Sequence, residues 1–121
     1  MTNSNNNKGT VVLIEPDVSV RDALTVLLEG ENWRVNSLDD CDDLPAALAE
    51  QEVVAVISES SLPNCTPQEI LERCSRYSLP VIFTGHDLPV QGAVDLIRQG
   101  ATDFLDKPFP QSRLLDLLDG L

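Results

Sequence analysis

Two rhythms of apolar residues alternate along this chain. Short, unbroken and largely β-branched runs occur at Thr10-Val11-Val12-Leu13-Ile14, Val53 to Ser58 and Pro80 to Thr84. Runs of this kind predict strands buried on both faces. Weaker strand patterns lie at Trp33 to Leu38 and Thr102 to Leu105. Between them the apolar positions recur at helical spacing: Val20, Ala23, Leu24, Leu27 and Leu28; then Ile70, Leu71 and Cys74. The same spacing returns at Val90, Ala93, Val94 and Ile97, and in a last group at Leu114, Leu115, Leu117 and Leu118.

Boundary residues sharpen these elements. Asp17 is placed to cap the first helix and Gly30 to end it. Pro45 sits in the first turn of a short helix predicted from Leu44 to Glu50. Thr66 and Glu69 form a capping box ahead of the third helix. Pro89 opens the fourth helix, Gly100 closes it, and Pro110 opens the fifth. Gly92 lies inside the fourth helix, where it costs ~1 kcal/mol relative to alanine. It either permits close packing or leaves that helix easy to remodel.

Five strand-then-helix repeats predict a parallel sheet with helices on both faces, because parallel crossovers need an intervening element. In such folds ligands sit at the carboxyl ends of the strands. Four places are singled out: Glu15 with Asp17, Glu59, Thr84 and Lys107. Each alone is explained as a strand end or a helix cap. Jointly they bring two carboxylates, a hydroxyl and an ammonium to one edge, which is a site signature. Residues 1–9 are polar and Asn-rich and predict a disordered tail, followed by one domain over residues 10–121.

Charge narrows the function classes. Twenty acids face eight bases, only two of them lysines, for a formal charge of -12. Such a surface repels phosphate backbones, so direct nucleic-acid binding is not expected. No run of ~18 apolar residues exists for a membrane span, and the first residues carry no secretory signal, so a cytoplasmic location is expected. Cys41, Cys65 and Cys74 are odd in number and lack CxxC spacing. They read as free thiols of a reducing compartment, with no metal role. The chain also lacks GxSxG, and its one histidine, His86, falls in a loop just past Thr84. Ser58, Ser60 and Ser61 read as turn residues, since no general base adjoins them.

Several motifs together carry a resemblance: Ser60-Ser61-Leu62-Pro63, Val81-Ile82-Phe83-Thr84-Gly85-His86, Gly100-Ala101-Thr102-Asp103-Phe104 and Lys107-Pro108-Phe109. From about residue 10 to the end, the chain resembles the receiver domain of bacterial two-component response regulators. The resemblance implies a flavodoxin-like, three-layer α/β sandwich: a five-stranded parallel sheet of order 2-1-3-4-5 with five helices. In that family an aspartate after the third strand takes a phosphoryl group from a histidine kinase, and two acids after the first strand hold Mg²⁺. A Thr or Ser and a Lys contact the phosphoryl oxygens, and an aromatic residue on the fifth strand acts as a switch.

Carried over by position, the phosphoacceptor falls on Glu59 and the acidic pair on Glu15 and Pro16. The remaining positions fall on Thr84, Lys107 and Phe104. Pro16 offers no side-chain oxygen, and Mg²⁺ tolerates little departure from octahedral geometry. Glu15 and Glu59 are each one methylene longer than aspartate, and a ~1 Å misplacement costs ~100-fold in rate. The expectation is a non-enzymatic pseudo-receiver with a degenerate site at Glu59, Glu15, Pro16 and Asp17, no resident cofactor and at most weak Mg²⁺ binding. Either a Glu59–Lys107 pair holds it in one state, or the site has decayed and the fold serves as a docking module. A phosphorylation-competent receiver using Glu59 is the nearer alternative. A flavin- or nucleotide-binding domain is the more distant one, disfavoured because Glu15-Pro16-Asp17-Val18-Ser19 is not glycine-rich. Partners are expected at the helix 90–99 and the region 102–119, through Gln91, Asp95, Arg98, Gln99, Asp106 and Arg113. They would be an output domain, a partner protein or a second copy.

Overall fold

The computed structural model describes residues 7–121. In chain order the elements are β1 (Thr10–Ile14), α1 (Val18–Gly30), β2 (Arg34–Leu38), α2 (Leu44–Leu48) and β3 (Val53–Glu59). They continue with α3 (Pro67–Ser75), β4 (Val81–Gly85), α4 (Val90–Arg98), β5 (Asp103–Asp106) and α5 (Gln111–Asp119). All neighbouring strands pair parallel, in the order β2-β1-β3-β4-β5. The parallel sheet is the one the strand–helix repeats predict, and its order is the flavodoxin-like one that the resemblance implies.

The central strands explain the layers. Successive side chains on a strand point to opposite faces. Val11, Leu13, Ala55, Ile57, Ile82 and Leu105 pack with Leu24, Leu28, Leu114 and Leu118, which come from α1 and α5. Their alternates Val12, Ile14, Val56 and Phe83 pack with Leu44, Leu48, Ile70, Cys74 and Leu96 from α2, α3 and α4. Two helices therefore cover one face and three the other, which is why β1, β3 and β4 read as continuous apolar runs. Strands β2 and β5 lie at the edges and are only partly buried.

Several local expectations change. The inward residue of α4 is Leu96, while Val90 and Ile97 are exposed. The apolar stripe runs through Gly92, Ala93 and Leu96 because Leu88, just ahead of the helix, lies over Gly92; a Cβ there would stand 3.3 Å from the Leu88 side chain. Ala23 on α1 is exposed as well. Helix α2 stops at Leu48, short of the predicted Glu50. Gly30 is the last residue of α1, and the left-handed position after it falls to Asn32 at φ 70°. Gly100 does supply a left-handed turn after α4, at φ 117°, a conformation that favours glycine.

Of the expected tail, residues 1–6 lie outside the described residues. The rest of it, residues 7–9, is tied into the fold. The Lys8 backbone N–H donates to Asn32 O at 2.8 Å, and Gly9 O accepts from Arg34 N at 2.9 Å. At the same end of the molecule, Lys8 Nζ lies 3.7 Å from Asp119 Oδ1.

The cysteines also depart from expectation. Cys41 and Cys65 are joined as a disulfide, with Cα atoms 6.7 Å apart, and only Cys74 is a free thiol. Their separation of 24 residues gives no hint of this in the sequence. The fold brings them together because the loops after β2 and β3 leave the same edge of the sheet and flank the loop after β1.

Candidate functional site

Strand alternation builds the site. Glu15 follows Leu13 by two residues, Glu59 follows Ile57, Thr84 follows Ile82, and Lys107 follows Leu105. All four continue the row of side chains that faces α1 and α5. Register then brings them level: Ile14 pairs with Ser58, Glu59 with Thr84, and Thr84 with Leu105. Pairing continues one step past β5, where the Lys107 N–H donates to Gly85 O at 2.7 Å. The Lys107-Pro108 peptide bond is cis.

The side chains meet. Lys107 Nζ donates to Glu15 Oε1 at 2.5 Å and to Glu59 Oε1 at 2.6 Å. Glu15 is 2% exposed and Glu59 7%, so both carboxylates are withdrawn from water. Their second oxygens are also engaged: Glu15 Oε2 accepts the Asp17 N–H at 3.1 Å and Glu59 Oε2 the Ser61 N–H at 3.0 Å. Burial alone would push the Lys107 ammonium down, but hydrogen bonds to Glu15 and Glu59, and their charges, outweigh it and raise its pKa above the ordinary lysine value. Two acids and one ammonium leave the cluster with a formal charge of minus one.

The other candidates surround this cluster. Pro16 is exposed. Asp17 is the N-cap of α1, its Oδ1 accepting the N–H groups of Ser19 at 2.9 Å and Val20 at 3.2 Å. Asp17→Ala should therefore lower stability by ~1 kcal/mol through loss of the cap, seen as an earlier urea midpoint. Thr84 is 1% exposed, and its carbonyl accepts the Ser60 N–H at 2.8 Å. Phe104 lies on the opposite face of β5, half-buried against the α2–α4 core. His86 is exposed, on the rim of an apolar groove formed by Val20, Leu24, Pro108 and Phe109 beside Lys107.

Sequence reasoning missed two contributors. Arg21 donates from Nη1 to Glu15 O at 2.7 Å, anchoring the turn that carries Glu15. Its spacing of six from Glu15, across a helix start, was the available signal. Gly85 is the second. A Cβ there would lie 2.5 Å from Ser60 Oγ and 3.2 Å from the Phe104 ring, so only glycine lets these groups approach. Among the described residues no group of three or more His, Cys, Asp or Glu is arranged to hold a metal ion.

Comparison with known proteins bears on the family of this fold. The response regulator receiver domain model matches residues 11–119. The transcriptional regulatory protein FixJ of Bradyrhizobium diazoefficiens is 34% identical over 116 residues, covering 93% of this chain and 56% of FixJ. The C4-dicarboxylate transport transcriptional regulatory protein DctD of Pseudomonas aeruginosa is 39% identical over 110 residues, covering 88% of this chain and 23% of DctD. The chain thus spans about half of the first relative and a quarter of the second. The crystal structure of full-length FixJ from B. japonicum superposes with a TM-score of 0.84 at 29% identity, over 94% of this chain and 57% of that one. A receiver domain from Clostridium thermocellum gives a TM-score of 0.85 at 17% identity, over 93% of this chain and 92% of that one, a likeness of fold alone. Strand order and the matched model together place this chain in the response regulator receiver domain family.

Proposed function

We propose that this domain is a pseudo-receiver: a signalling module whose acidic site is held by an internal Glu15–Lys107–Glu59 clamp instead of by Mg²⁺ and a phosphoryl group. The observation that carries it is Lys107 Nζ bound to both carboxylates at once. Magnesium needs oxygen ligands at short, near-octahedral distances. Here the Glu15 and Glu59 oxygens already accept N–H donors, Pro16 has no side-chain oxygen, and Asp17 caps α1. The donor set therefore does not fit the ion. The flavin- or nucleotide-binding alternative loses its ground once the chain is a receiver.

The signal would pass by protein contacts, to an output domain, a partner protein or a second copy. The surface in view is α4, β5 and α5. Gln91 Nε2 donates to Asp95 Oδ1 at 2.9 Å there, and Arg113 lies 3.8 Å from Asp103. Exposed Val90 and Ile97 add apolar area to α4. The location is cytoplasmic on this proposal, and the charge of -12 disfavours direct nucleic-acid contact.

The test is incubation with Mg²⁺ and acetyl phosphate, read by intact mass, together with Mg²⁺ titration in the presence of beryllofluoride. The expected result is an unmodified mass and no saturable binding at millimolar Mg²⁺. A stable acyl phosphate on Glu59 would instead establish the phosphorylation-competent alternative.

A further inference from the structure

Cys41 ends up 6% exposed in the loop after β2, packed in the α2–α4 core. Four aspartates, Asp39, Asp40, Asp42 and Asp43, flank it. Cys65 is only partly buried, in the loop between β3 and α3. That loop begins at Glu59 and is held at its head by Ser60 N–H to Thr84 O and Ser61 N–H to Glu59 Oε2. At its tail, Thr66 and Glu69 form the capping box of α3. The Cys41–Cys65 bond joins the two loops just ahead of that cap. Asn64 reinforces the crossing by donating to Asp42 Oδ1 at 2.7 Å.

Both redox forms have a partner for Cys41. Its Sγ lies 3.2 Å from Asn64 Oδ1, an oxygen that can accept the S–H of a reduced Cys41. On the cytoplasmic location proposed above, a disulfide belongs to the class that is usually transient and catalytic or redox-sensing. The third thiol does not compete: Cys74 is fully buried, and burial pushes its pKa up to about 12, leaving essentially no thiolate.

We propose that Cys41 and Cys65 form a reversible thiol–disulfide site, oxidised by a disulfide of the glutathione class, that sets how firmly the loop next to Glu59 is held. The partly exposed Cys65 thiolate attacks one sulfur of glutathione disulfide, forming a mixed disulfide and expelling one glutathione thiolate. The Cys41 thiolate then attacks the Cys65 sulfur, closing the internal bond and expelling the second glutathione thiolate. The two protons released by the cysteines end on the two glutathiones. The protein dithiol is oxidised to the disulfide and one glutathione disulfide is reduced. None of this depends on whether Glu59 accepts a phosphoryl group.

The test equilibrates the purified domain across ratios of oxidised to reduced glutathione, quenches it, and counts free thiols by alkylation in denaturant and intact mass. The expected count falls from three to one, the survivor being Cys74. A cross-linked peptide pair should join Cys41 to Cys65. Amide exchange over residues 60–66 should be faster in the reduced form. Cys41→Ser should trap a glutathione adduct on Cys65. Because Cys41 is buried and that variant can fail to fold, Cys65→Ser serves as the second arm, with two thiols at every ratio. Three labelled thiols at every ratio, or an adduct on the unaltered chain that never closes, overturns the site. Equal exchange over residues 60–66 in the two forms overturns its link to the Glu59 loop.

Discussion

Lys107→Met should lower the thermal midpoint by about 10–20 °C, the largest effect expected of any single surface-edge substitution in this domain. Removing one partner of a buried ion pair costs about 3–5 kcal/mol, because the remaining charge stays buried without compensation. Here two carboxylates would be left, 2% and 7% exposed and facing each other. Adding Glu15→Gln and Glu59→Gln to Lys107→Met should restore most of the loss, since the repelling charges go with their partner. Differential scanning calorimetry of the single and triple variants checks both. In the unaltered protein the folded-state pKa of Lys107 is raised. Its stabilisation is therefore complete below the unfolded lysine value of ~10.4 and is lost only as pH rises through the higher folded value. The Lys107 contribution should be flat between neutral pH and pH ~9. A single variant that melts within a few degrees of the parent would show that the clamp does not hold the site.

Converting Glu15, Pro16 and Glu59 together to aspartate should create Mg²⁺-dependent labelling by acetyl phosphate, at least ~100-fold faster than in the parent chain. Each change addresses a separate defect. Glu59→Asp draws the nucleophile back by one methylene. Glu15→Asp shortens the carboxylate that now reaches Lys107 Nζ. Pro16→Asp supplies an oxygen where the exposed proline has none. Thr84 and Lys107 already stand level with position 59. Phosphoryl transfer relies on positioning and on a cation that neutralises developing charge. Initial rates by intact mass or by loss of acetyl phosphate give the ratio. Equal rates in parent and variant would mean that these three positions do not limit the chemistry.

The parallel sheet was legible because β1, β3 and β4 are covered on both faces and therefore read as uninterrupted apolar runs, whereas the strand order came only through the resemblance to receiver domains. The capping residues were legible for a local reason: Asp17 and Thr66 each satisfy N–H groups within three residues. Position along the chain located Glu15, Glu59, Thr84 and Lys107, and strand period brings them to one face. What sequence could not carry was the second bond of Lys107, to Glu15. That contact spans 92 residues and depends on strand register. The α4 face was misjudged because its inward line, Leu88, Gly92 and Leu96, starts ahead of the helix and passes through a glycine, so it carries few apolar residues to be read. The disulfide was missed for a related reason. Loops adjoin through sheet order, and nothing in the spacing of Cys41 and Cys65 encodes that.

The pairing of Lys8 with Asp119 marks where both ends of the domain emerge. Strand β1 runs five residues, about 16 Å, from that pole to the acidic edge. Helix α5 begins near Lys107 and returns over nine residues, about 13 Å, to the same pole. From Lys8 and from Asp119 the described chain thus leaves by the side of the molecule facing away from Glu59. A tether of a few residues cannot reach around to feel the state of that carboxylate. A circular permutant that stitches the two ends together would leave the acidic edge untouched.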